Sequence, residues 1–124
     1  VPPNADPDLP LLDLTVLGDL ERQLGEPGPA RAFVRDYIAA FGDRYLRLER
    51  SITDQDPAAA LEAVLSLRSS SIMVGAERLA ALASALGTAV SSASPGSARR
   101  ALPELERCGL ATIGKLETLY LDPV

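Results

Sequence analysis

Residues 61–86 read LEAVLSLRSSSIMVGAERLAALASAL, and their reading decides the fold. Ala60, Val64, Leu67 and Ser71 recur at helical spacing and are expected to pack inward. Leu61, Leu65, Arg68 and Ile72 form a neighbouring stripe at i, i+4, i+7 and i+11. Gly75-Ala76 then breaks the pattern, and Leu79, Leu82, Leu86 and Val90 start a second buried stripe, with Ala76 and Ala83 small enough for close helix approach. The segment is therefore two helices joined by a glycine turn, and the rest of the chain is read as what packs around them.

Working back from residue 61, Asp56 is placed to cap the third helix, with Pro57 at its first position, where a missing N–H costs nothing. Before that polar turn, Val34, Tyr37, Ile38, Phe41, Tyr45, Leu48 and Ile52 repeat along a second helix of about 22 residues, ~33 Å at 1.5 Å per residue. Its aromatics read as core residues rather than a stacking platform. A first, shorter helix is expected from about Leu12, capped by Asp13 or Thr15, with Leu14, Leu17, Leu20 and Leu24 as its stripe and Gly25 and Pro27 ending it. Residues 1–10, with four prolines and two aspartates, read as a loose leader ahead of a single domain over 11–121. Working forward from residue 86, the run SSASPGS at 91–97 breaks the chain. A last helix is expected from about Ala98, with Leu102, Leu105, Gly109, Thr112, Leu116 and Leu119 as its stripe and Pro103 in its first turn or two. No strand pattern occurs. The expected fold is all-α: an antiparallel four-helix bundle with an extra short N-terminal helix.

Composition narrows the function. The 124 residues carry a net charge of −5, which argues against a nucleic-acid partner. No apolar run reaches membrane-spanning length and no signal-peptide pattern opens the chain, so the expected setting is cytoplasmic, with no membrane partner. Cys108 is the only cysteine, which excludes an intrachain disulfide and reads as a small buried helix residue. The chain has no histidine, so no Ser-His-Asp or Cys-His arrangement and no imidazole ligand can form. The carboxylates are scattered over caps and helix faces, and no phosphate-cradling glycine loop is present. No enzyme activity, cofactor or metal is expected.

The segment LSLRSSSIMVGA, residues 65–76, resembles the signature of histidine-containing phosphotransfer (HPt) domains, whose order is roughly His-x-Leu-Lys-Gly-Ser-Ser, three residues, then Gly-Ala. Leu67, Ser70, Ser71, Gly75 and Ala76 fall in register, Arg68 takes the lysine slot and Ser69 the glycine slot. The family also has an acidic residue nine positions before its histidine, and Asp56 keeps that spacing to Leu65. The resemblance covers about residues 12–119. It implies the HPt bundle, with the Leu65 stripe facing solvent because the family's histidine must be reachable. It also implies a place in two-component signalling, with a response-regulator receiver domain or a histidine kinase as partner.

Leu65 stands in the histidine slot and has no nitrogen or oxygen to take a phosphoryl group. Ser66 is a poor stand-in, since one residue rotates a helical side chain by ~100°. Two readings follow. One is a binding module that docks receiver or kinase domains without accepting phosphate, through Leu61, Leu65, Arg68, Ser69 and Ile72. The other is a structural module that forms a homodimer through Leu61, Leu65 and Ile72.

Overall fold

In a computed structural model of the chain, which describes residues 9–122, the helices are α1 (Leu14–Leu24), α2 (Gly28–Thr53), α3 (Pro57–Val74), α4 (Glu77–Ser91) and α5 (Pro95–Leu116), followed by a π-helical turn, Glu117–Leu121. There is no strand among the described residues. α3 packs between α2 and α4, and α5 closes the ring by packing against both α4 and α2. α1 lies across one end of this four-helix bundle, against α2 and α3.

The helix boundaries follow from local chemistry. Asp13 caps α1, its carboxylate accepting from the Thr15 backbone N–H at 3.0 Å and from the Thr15 hydroxyl. These bonds stabilise the carboxylate and hold Asp13 below its ordinary pKa. Asp56 caps α3 by accepting from Ala59 N–H at 3.1 Å, with Pro57 in the first turn. α3 stops at Gly75, whose φ of 82° lets the chain turn back while its own N–H and that of Ala76 satisfy the Ile72 and Ser71 carbonyls.

The core is continuous through the bundle. Val34, Tyr37, Phe41, Tyr45 and Leu48 of α2 meet Val64 and Leu67 of α3, Leu79, Leu82 and Leu86 of α4, and Leu102, Leu105 and Leu116 of α5. Cys108 is buried among them, and burial pushes its thiol above the ordinary cysteine pKa, so it acts as a small apolar residue.

Several local expectations are corrected. α5 begins at Pro95, three residues before Ala98, so Pro103 lies inside the helix rather than in its opening turns. It lies on the exposed side of the helix, where Pro103 and Arg99 both meet solvent. Leu119 is 49% exposed instead of completing the buried stripe. The helix widens to a π-turn from Glu117, which rotates Leu119 outward and brings Tyr120 and Leu121 against the core. Tyr120 donates to the Glu21 carboxylate at 3.0 Å, Arg31 lies 5.6 Å over the Tyr120 ring, and Arg31 also donates to the Leu121 carbonyl, so the turn is clamped onto α1 and α2. Leu14 and Leu24 are likewise exposed, because a short helix lying over a bundle end buries only its middle, here Leu17. The expected leader at 1–10 lies outside the described residues up to position 8. Leu9 is half-buried and its carbonyl accepts two hydrogen bonds from Arg78.

Candidate docking face on the third helix

The two ends of α3 set the orientation of every side chain between them. Asp56 fixes the start and Gly75 the end, and Leu67, 1% exposed, marks the inward direction. Leu65 is two residues earlier, roughly 200° around the helix, and therefore points out. It is 57% exposed and Ile72, two turns on, is 50% exposed. Arg68 and Ser69 are exposed and Leu61 is half-buried. Leu61, Leu65, Arg68 and Ile72 thus share one outward strip, with Ser69 on its other flank. Met73, 48% exposed, extends the surface beside Ser69. Sequence reasoning missed it, although its spacing of four from Ser69 placed it there.

The serines are scaffolding. Ser71 is fully buried and its hydroxyl shares a 2.8 Å hydrogen bond with the Tyr37 hydroxyl of α2. Burial is the main reason that Tyr37 is pushed up to about 12, so it stays protonated and the bond stays neutral. Ser70 donates back to the Ser66 carbonyl at 2.9 Å and accepts from Arg44 of α2 at 3.1 Å. These two contacts pin α3 to α2 directly beneath the outward strip. Ser66 is exposed but lies about 100° from Leu65, so it does not share its direction.

The outward strip carries no cysteine, no carboxylate and no imidazole, and Ser69 on its flank is its one hydroxyl. No cluster of three or more His, Cys, Asp or Glu able to hold a metal ion occurs among the described residues. What the strip offers is apolar area with a guanidinium beside it. That is the composition of a contact surface.

The architecture is that of histidine-containing phosphotransfer domains: an antiparallel four-helix bundle with an extra N-terminal helix. It is similar to the crystal structure of histidine-containing phosphotransfer protein B from Pseudomonas aeruginosa PAO1, with a TM-score of 0.79, 18% identity, and coverage of 87% of this chain and 92% of that chain. At that identity the likeness is one of fold. No protein-family model matches the chain, and no curated protein matches it. No helix among the described residues is long and apolar enough to cross a membrane.

Proposed function

We propose that the chain is a pseudo-phosphotransfer domain: a signalling module that docks a response-regulator receiver domain or a histidine kinase through the outer face of α3 and does not accept phosphate. The observation behind this reading is Leu65. An HPt-like bundle sets that position, nine residues after the cap Asp56 and ten before the turn Gly75, on its outer surface, and this chain fills it with a leucine 57% exposed. Covering a leucine can contribute about 1.5–3 kcal/mol, whereas leaving it in water contributes nothing. The module then acts as an adapter or as a competitor for the partner's docking surface. Binding, not catalysis, is its role, and a cytoplasmic setting fits such partners.

Two experiments test it. First, incubation with phosphorylated receiver domains or an autophosphorylated kinase is expected to leave the intact mass unchanged, because no side chain of the chain is an imidazole. Stoichiometric addition of phosphate to any residue would refute the non-acceptor reading. Second, Leu65→Asp is expected to leave the melting temperature within about 2 °C of wild type, since the new carboxylate meets water, while weakening receiver or kinase binding by about 100-fold. Unchanged binding would sink the proposal. Sedimentation of the same pair separates the second reading, pairing of two copies through Leu61, Leu65 and Ile72. A wild-type dimer that Leu65→Asp splits into monomers would assign the strip to self-association.

A further inference from the structure

Beside the Leu65 strip, α2 and α3 leave an open groove of about 670 Å³. Its α2 wall carries Arg44, Arg47 and Arg50, spaced about one turn apart, together with Asp43, and Glu62 and Ser66 line it from α3. The single ion pair among the described residues is Arg22–Asp19, both in α1. Neither Asp43 nor Glu62 therefore neutralises a groove arginine at ion-pair distance. Arg44 is held in place by its bond to Ser70, while Arg47 and Arg50 are exposed. A row of three guanidiniums, none of them in an ion pair, against the two carboxylates of Asp43 and Glu62 leaves the groove net positive in a chain whose net charge is −5.

The row also has a defined position relative to the apolar strip. Seen down α3 from the inward Leu67, Ser66 is turned roughly 100° to one side and Arg68 roughly 100° to the other, with Leu65 nearly opposite. The strip is thus bounded by Arg68 on one flank and by the arginine row of α2 on the other. We propose that the arginine row is the charge-selecting part of the docking face, and that the protein covering Leu65 presents carboxylates to Arg44, Arg47 and Arg50 beside an apolar ridge. This rests on the docking reading above. The row spans roughly 9 Å along α2, the reach of carboxylates on two or three successive helical turns or on one acidic loop. Each guanidinium can take a carboxylate in a two-pronged hydrogen bond, and a basic surface would be repelled. Charges at the rim of an interface act mainly on encounter rate and on the choice of partner, which is what an adapter among many similar receivers needs.

The test is the double reversal Arg47→Glu/Arg50→Glu. It spares Arg44, which is tied to Ser70. With a receiver or kinase domain that binds wild type, the double reversal is expected to keep the wild-type melting temperature, weaken binding at least about 30-fold at 50 mM NaCl, and remove most of the salt dependence that wild type shows. Wild-type affinity in the double reversal, with Leu65→Asp still abolishing binding, would overturn this inference and leave the docking reading intact. If no receiver or kinase binds wild type, the docking reading fails, and a titration with 20-residue poly-L-glutamate decides the inference by itself. Shifts of the Arg44, Arg47 and Arg50 side-chain Nε–Hε signals in wild type, with the Arg44 shift lost in the double reversal, support it, and an unperturbed wild-type spectrum overturns it. A wild-type dimer split by the double reversal would give the groove to a second copy and overturn the proposal equally.

Discussion

Gly75→Ala is expected to destabilise the domain by about 3 kcal/mol or more, a fall in melting temperature of roughly 10 °C for a chain of this size. Two independent costs add. The backbone at Gly75 has φ 82°, a conformation that costs an L side chain about 1–2 kcal/mol. In addition, a Cβ there would lie 2.3 Å from the Asp13 carbonyl oxygen and 3.2 Å from the Val16 Cβ. The first neighbour is backbone and cannot swing aside. Asp13 also donates its N–H to the Gly75 carbonyl at 2.8 Å, so pushing the two apart breaks the bond that seats the start of α1 on the α3–α4 turn. Urea denaturation checks the value. A loss below 1 kcal/mol would mean that α1 can move off this turn at little cost and that its seat is not part of the cooperative fold. Because Gly75 also ends α3, its loss is expected to loosen Ile72 and Met73 at the edge of the docking face.

The path from sequence to structure was clear where a local rule and the tertiary packing agree. Asp56-Pro57 and Gly75 bound α3 by capping chemistry alone, and the i, i+4, i+7 spacing between them separates inward Val64 and Leu67 from outward Leu65. The candidate strip is therefore legible in the sequence itself. Where the outcome depends on how elements meet in space, the same reasoning fell short. The π-turn at Glu117–Leu121 keeps a helical pattern in sequence but shifts its phase, and only the contacts of Tyr120 with Glu21 and Arg31 settle which side chains turn in. Taken by sequence alone, Arg44, Arg47, Glu49 and Arg50 fall opposite the apolar stripe of α2 and read as a solvated face. The groove that the three arginines share with Ser66 and Glu62 depends on how far apart α2 and α3 lie side by side, which no local pattern in the sequence reveals. Gly109 looked like one more member of a stripe, and nothing in its neighbours in sequence signals what it faces.

What it faces is the edge of the Phe41 ring, and Gly109→Val is expected to cost about 3–5 kcal/mol in consequence. A Cβ built on Gly109 would lie 2.1 Å from Phe41 Cζ and 2.5 Å from Cε1, against the roughly 3.5–4.0 Å at which carbon atoms rest. The ring cannot simply retreat. It is 4% exposed and lies against Tyr45, with ring centroids 6.4 Å apart, in the middle of α2. Gly109→Ala adds the same Cβ without the outer methyls and gains about 1 kcal/mol of helix propensity, so its net loss is expected to be smaller, about 2 kcal/mol. The overlap itself is isolated by a double-mutant cycle. Phe41→Leu removes the ring edge, and in that background Gly109→Ala is expected to be close to neutral, a coupling of at least about 1 kcal/mol. Additive effects in the cycle would show that the cost of Gly109→Ala does not come from the ring. The same variants carry a consequence for the docking face. Phe41 lies one turn before Arg44 and Tyr45 on α2, so a ring forced outward displaces the helix that holds Ser70 and Ser71 through Arg44 and Tyr37. Gly109→Ala is therefore expected to reduce partner binding through α2, whereas Leu65→Asp reduces it with α2 and the melting temperature undisturbed, and comparing the two separates a lost contact from a moved scaffold.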